Sequence, residues 1–259
     1  MKAVFKTDRG KVRQHNEDNG GIFINPEGVR FAVVADGMGG HRAGDVASSM
    51  AIEHMRKSWD DSNSFHTPQE AESWLREKIE SVNELLFQHS EQFSECQGMG
   101  TTIVAAICTD KFATIANIGD SRCYVYNESG FKQITEDHSL VNELVRSGQI
   151  SREDAEHHPR KNVLLRALGT EVHVDMDITT IVFEEGDMLL LCSDGLSNKV
   201  SEQEMIDIVT DERSLEEKSD SLITLANGYG GEDNITLVLV HFDDETESGG
   251  ETDVNRKKD

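Results

Sequence analysis

Short β-rich runs recur along this chain: MKAVFKT, GIFIN, VRFAVVA, TTIVAAIC, KFATIANI, RCYVYN, VDMDITTIVF, DMLLLC and NITLVLVHF. So many strands require one or two sheets. Tight turns separate several of them, as at Asn127 to Gly130 and Glu184 to Gly186. Such short links favour antiparallel pairing, because parallel neighbours need a long crossover.

Helical blocks interrupt the strands, and their starts are clearly signalled. Thr67-Pro68-Gln69-Glu70 combines an N-cap, a proline at the first helical position and a glutamate two residues later. Behind it Ala71, Trp74, Leu75, Ile79, Val82, Leu85 and Leu86 recur at helical spacing and predict a core-packing face. Ser201 with Glu204, and Ser214 with Glu217, are two further capping boxes before the final strand. Two long helices after the third strand and two more before the last would cover sheet faces, which predicts an α+β sandwich. No internal repeat or Pro/Gly/Ser linker divides the chain. Residues 1–242 therefore read as one domain, and the polar 243–259 segment, apolar only at Val254, as a disordered tail. The polar stretch 138–169 separates two strand groups and reads as a surface excursion.

Composition narrows the function. A formal net charge of −24, from 49 acidic against 25 basic residues, disfavours nucleic acid or an anionic membrane as a general partner. The N-terminus lacks the apolar core of a secretory signal, and no membrane-length apolar run occurs. Cys96, Cys108, Cys123 and Cys192 show no CxxC spacing, and Cys108 and Cys192 lie inside apolar runs. Reduced, buried thiols and a cytoplasmic setting are expected.

Four aspartates stand at the ends of apolar strands: Asp36 after FAVVA, Asp120 after ATIANIG, Asp194 after MLLLCS, and Asp233 before NITLVLV. One such residue is ordinary turn chemistry. Four carboxylates brought together would repel one another unless protonated or neutralised, and hard divalent ions with oxygen ligands suit that task. Neither thiolates nor histidines are spaced for zinc, and His157-His158 reads as solvated. Gly37 would let a backbone carbonyl approach a cation. Two cations about 3.5 to 4 Å apart can activate a bridging water and clamp an in-line phosphoryl displacement. Arg13, in GKVRQHNEDN, is then a candidate phosphate ligand, since guanidinium offers two parallel donors.

The ordered set RQHNED, VVADGMGGHRAGDVAS, GMGTT, NIGDSR, CSDGL and GEDNIT resembles the metal-dependent serine/threonine phosphatases of type 2C, particularly the small bacterial members. It spans about Lys6 to Val240. The resemblance implies a four-layer αββα sandwich, two stacked antiparallel sheets flanked by helices. It implies Asp36 bridging two Mn²⁺ or Mg²⁺ ions, the Gly37 carbonyl on one of them, and Asp194 and Asp233 completing the other. Asp120 with Asp194 resembles a third-metal site. Arg13 corresponds to the phosphate-binding arginine, and Glu17 and Asp18 to acids that hold metal-bound waters. Many eukaryotic members carry a histidine directly after Asp-Gly, whereas here Met38 stands there and His41 is the nearest histidine and the candidate general acid. Stretch 138–169 corresponds to the family's variable flap, while GMGTT reads as a tight entry into a core strand. Implied partners are phosphorylated proteins and a Ser/Thr kinase of the PASTA-repeat type, for a monomeric enzyme. Competing readings are a phosphatase confined to regulators of a sigma-factor switch, and a phosphoprotein- or metal-binding fold without turnover.

Overall fold

The computed structural model describes residues 1–40 and 43–243. Its strands, in chain order, are β1 (Lys2–Asp8), β2 (Asp18–Ile24), β3 (Arg30–Met38), β4 (Gly100–Thr101), β5 (Ile103–Cys108), β6 (Phe112–Ile118), β7 (Arg122–Asn127), β8 (Gly130–Gln133), β9 (Asp177–Val182), β10 (Met188–Cys192) and β11 (Ile235–His241). The helices are α1 (Ala43–Asp60), α2 (Pro68–Gln92), α3 (Leu140–Arg146), α4 (Arg152–Glu156), α5 (Asp194–Ser197), α6 (Glu202–Val209) and α7 (Leu215–Gly228). One sheet runs β1-β11-β10-β7-β8 and the other β2-β3-β5-β6-β9, with β4 against the end of β3. Every pairing is antiparallel.

Alternation along the strands builds the layers, because successive side chains point to opposite faces. On β3, Phe31, Val33 and Ala35 pack toward α1 and α2, while Ala32 and Val34 pack toward the other sheet. On β11, Ile235, Leu237 and Leu239 face α6 and α7, while Val238 and Val240 meet the facing sheet. Strands buried on both faces need cover on both, so helices lie outside each sheet. The four-layer αββα sandwich is the result. All four cysteines are buried free thiols in these cores.

The capping boxes at Thr67, Ser201 and Ser214 all form. Each satisfies amide donors that the first helical turn leaves open, worth about 1 kcal/mol apiece. Along α2, Ala71, Leu75, Ile79, Val82 and Leu86 are buried as the spacing predicts, but Leu85 is 37% exposed and falls off the stripe.

The structure departs from the sequence reading at several strands. The run expected as one strand from Thr101 splits into β4 and β5, because Thr102 turns its amide to the carbonyl of Asp36. Strand β8 was not expected; the turn at Asn127 to Gly130 closes a hairpin whose second arm, GFKQ, is too polar to signal a strand. Strand β2 begins at Asp18, earlier than GIFIN suggests, and that places Asp18 inside a sheet. The excursion carries α3 and α4 on the surface, yet both its roots are anchored. His138, Ser139, Ala167 and Leu168 are buried, and Ser139 bridges Leu164. The tail from 244 onward and His41 lie outside the described residues.

Candidate active site

Both sheets deliver carboxylates to one edge of the sandwich. Asp36 lies near the end of β3, with Asp18 directly opposite it on β2. Asp120 follows β6, Asp194 follows β10 and opens α5, and Asp233 precedes β11. Since β10 and β11 are antiparallel neighbours, the end of one lies beside the start of the other. Antiparallel pairing thus joins residues that are far apart in sequence.

Backbone and side-chain hydrogen bonds fix these acids. The Asp36 N–H donates to Thr102 Oγ1 at 2.9 Å, and its carbonyl accepts from Thr101 Oγ1 and from the Thr102 N–H, each at 2.9 Å. Thr102 Oγ1 in turn meets Ser121 Oγ at 2.8 Å, beside Asp120. Ser193 Oγ donates to Asp18 Oδ2 at 2.7 Å, and Asn198 Nδ2 to Asp194 Oδ2 at 3.0 Å. Asn234 accepts the Glu17 N–H and donates to the carbonyls of Arg9 and His15, which pins the N-terminal loop against β11. Thr101, Thr102, Ser193, Asn198 and Asn234 were not read as site residues from the sequence. The adjacency of Thr102 to GMG, and of Ser193 and Asn234 to the aspartates, was the available signal.

Arg13 comes to the same edge: its NH2 donates to Asp233 Oδ2 at 2.7 Å. Gly37 is demanded by packing. A Cβ there would fall 2.1 Å from the Gly44 carbonyl oxygen and 2.6 Å from that of Glu17. Gly195, beside Asp194, is tighter still, with Asn234 O only 1.8 Å from the position of a Cβ.

The electrostatics are strained. Burial pushes the Asp36 carboxyl well above the usual range, and the charges of Asp18, Asp194, Asp120 and Asp233 add to the shift. Burial likewise raises Asp18 to about 7 against its hydrogen bonds from Ser193 and Thr236. Asp120 is pushed to about 7 by burial and then by Asp194 and Asp137. Asp194 rises to about 6 through burial and Asp233, with a hydrogen bond to Asp36 opposing. Glu17 is raised too, chiefly by burial. Carboxylates crowded in this way hold protons or exchange them for cations.

The donor set fits a hard divalent cation in chemistry. It is all oxygen, and Asp18 Oδ1 and Asp194 Oδ1 are buried without hydrogen-bond partners. Among the described residues, however, no group of three or more His, Cys, Asp or Glu side chains is arranged as a ready ligand set. A cavity of about 550 Å³ lined by Arg76, Asn117, Glu136 and Asp177 contains none of Asp36, Asp120, Asp194 or Asp233.

A family model described as protein phosphatase 2C matches residues 7–226. The chain belongs to the protein phosphatase 2C family. The serine/threonine phosphatase stp of Listeria welshimeri is 54% identical over 93% of this chain and 95% of its own length. The solved serine/threonine phosphatase Stp1 of Staphylococcus aureus is 40% identical, covers 92% of this chain and 93% of its own, and superposes with a TM-score of 0.87. The catalytic domain of the serine threonine protein phosphatase PstP, solved in complex with 2 manganese ions, is 33% identical over 92% of this chain and 96% of its own, with a TM-score of 0.81. As a type 2C family member, this chain is a serine/threonine protein phosphatase. Its matched span includes Arg13, Asp36, Asp120 and Asp194; Asp233 lies beyond it.

Proposed function

We propose that the enzyme hydrolyses phosphoserine and phosphothreonine in cytoplasmic proteins by attack of a water activated between two divalent cations. It would thereby oppose a Ser/Thr protein kinase, one with PASTA repeats by family resemblance. The observation that carries this reading is the Asp36 carboxyl, crowded by four other aspartates at one edge of the sandwich. Asp36, Asp194, Asp233 and the carbonyl of Gly37 would hold two Mn²⁺ or Mg²⁺ ions, and Asp120 with Asp194 a third. PstP with its 2 manganese ions is the supporting precedent. Such cations acidify a water and draw charge from the phosphoryl oxygens.

The chain's own residues supply the rest. Arg13, steadied by Asp233, would present its remaining N–H donors to two phosphate oxygens, the bidentate geometry that guanidinium favours. Glu17 and the unpartnered Oδ1 of Asp18 would accept hydrogen bonds from the surrounding water. His41 would give a proton to the departing Ser or Thr oxygen, a strongly basic leaving group. Residues 138–169, within a catalytic domain of 1–242, would act as a flap that meets the phosphoprotein. The enzyme would act as a monomer in the cytoplasm; among the described residues no helix is long and apolar enough to cross a membrane.

Asp36→Asn tests the reading. Folded variant protein is expected to lose nearly all turnover, and undiminished turnover would sink the assignment.

A further inference from the structure

The turn that carries Asp120 is held by a residue from a different segment. The Gly119 N–H donates to His138 Nδ1 at 3.1 Å, and the Gly119 carbonyl accepts the His138 N–H at 2.9 Å. Asn117 Nδ2 reaches the same carbonyl at 3.4 Å. Gly119 itself has φ +106, and a Cβ there would lie 2.6 Å from Thr102 Cγ2. The Gly119 peptide therefore has one seat, and His138 closes it.

The other side of the ring faces outward. Because Nδ1 accepts an N–H, the proton of the neutral ring belongs on Nε2, which lies 3.2 Å from Asp177 Oδ2 and 3.1 Å from Arg166 NH1. Asp177 Oδ1 accepts from Arg166 at 3.1 Å. Burial lowers the pKa of His138 and Arg166 adds to the shift, against the pull of Asp177. The carbonyl of His138 accepts the Leu165 N–H at 2.8 Å, at the point where stretch 138–169 returns to the sandwich. Ring and backbone of this one buried residue thus join the Gly119–Asp120 turn, both roots of the excursion and the start of β9.

We propose that His138 is a positioning residue that sets Asp120 through the Gly119 peptide and couples that turn to the 138–169 segment. The inference rests on the reading of Asp120 as a cation ligand given above. It predicts a division between two substitutions. In His138→Asn the side-chain oxygen replaces Nδ1 and keeps the Gly119 bond but gives up Asp177. In His138→Gln the longer amide reaches toward Asp177 and abandons Gly119.

Amide hydrogen exchange on the full-length protein with Mn²⁺ reads the contact directly. His138→Gln is expected to speed exchange at Gly119 about tenfold, the loss of one buried hydrogen bond, with β11 amides unchanged. In calorimetric titration it should also weaken the most weakly bound Mn²⁺ about tenfold, whereas His138→Asn retains wild-type values for both. Asp177→Asn, at a side chain that is 54% exposed, guards against a His138 variant that fails to fold. It should speed Gly119 exchange a few-fold, by loosening the ring. Equal behaviour of the two His138 variants, or wild-type Gly119 exchange in both His138→Gln and Asp177→Asn, overturns the proposal. If Asp120→Ala leaves every Mn²⁺ affinity unchanged while His138→Gln still exposes Gly119, the positioning contact stands and the role of Asp120 falls.

Discussion

Asp18 and Asp36 stand directly opposite each other on β2 and β3, two carboxylates in register across one antiparallel pair. Opposed side chains in an antiparallel pair have Cβ atoms about 4.5 to 5.5 Å apart, and like charges there destabilise the pair. Asp18, buried, is satisfied at one oxygen by Ser193 and orphaned at the other. A stable scaffold carries this opposition because the site needs negative charge.

That opposition sets a pH dependence for protein treated with a chelator. Asp18 and Asp120, at about 7, and Asp194, at about 6, all lie above the ordinary carboxylate value. The folded state therefore binds more protons than the unfolded one between about 3.8 and about 7 on the pH scale. Their contribution to stability is full below about pH 4 and is lost as pH rises through about 7. Asp18→Asn removes one such group, so at pH 8 the metal-free variant should melt at least about 2 °C above wild type, and at pH 4.5 the difference should shrink. Thermal melts in EDTA at the two pH values make the comparison; a wild-type advantage at pH 8 would contradict it.

Arg13 should separate binding from folding. Its pair with Asp233 is partly exposed, and such solvent-screened pairs add little stability, about 0 to 1 kcal/mol. Arg13→Ala should therefore melt like wild type while raising KM for a phosphopeptide about tenfold to a hundredfold. Arg13→Lys should recover only part, since a point charge lacks the two-pronged fork. Steady-state kinetics on the three proteins checks both statements.

Thr102 holds the backbone of Asp36 without itself being acidic. Thr102→Val keeps the shape and removes the acceptor of the Asp36 N–H and the partner of Ser121. A cost of about 1 to 3 kcal/mol is expected from the stranded donor. Because the carboxylate also shifts, kcat should fall by about tenfold even where the protein remains folded. A variant with reduced stability and wild-type kcat would show that Thr102 serves the fold alone.

Two glycines give a contrast in tolerance. At Gly195 an added methyl would meet the Asn234 carbonyl at 1.8 Å, backbone against backbone, so Gly195→Ala should cost about 3 kcal/mol or more and displace Asp194. At Gly186 the space is open and only the φ of +92 resists; Gly186→Ala should cost about 1 to 2 kcal/mol and leave activity intact. Chemical denaturation of both variants tests the difference.

Much of this architecture was legible in the chain. Apolar runs marked most strands, capping boxes marked the helices, and aspartates at strand ends marked the edge where they meet. Legibility failed where a local signal was weak or where the cause lay far away in sequence. GFKQ pairs because β7 is beside it, not because it resembles a strand. Asp18 entered only through the family resemblance, because nothing local says that β2 starts at it and faces Asp36. The services of Thr102, Ser193 and Asn234 were hidden, since each bonds a residue 66, 175 and 217 positions away, respectively. Periodicity reports which face a side chain takes, whereas such bonds depend on which strands become neighbours.

The most direct test is hydrolysis of a phosphothreonine peptide by the purified enzyme, with Mn²⁺ and with EDTA, alongside Asp194→Ala. The predicted result is turnover that requires Mn²⁺ and disappears in the variant while its circular dichroism spectrum matches wild type. Turnover that survives EDTA, or wild-type turnover in Asp194→Ala, would contradict a phosphatase built on these carboxylates.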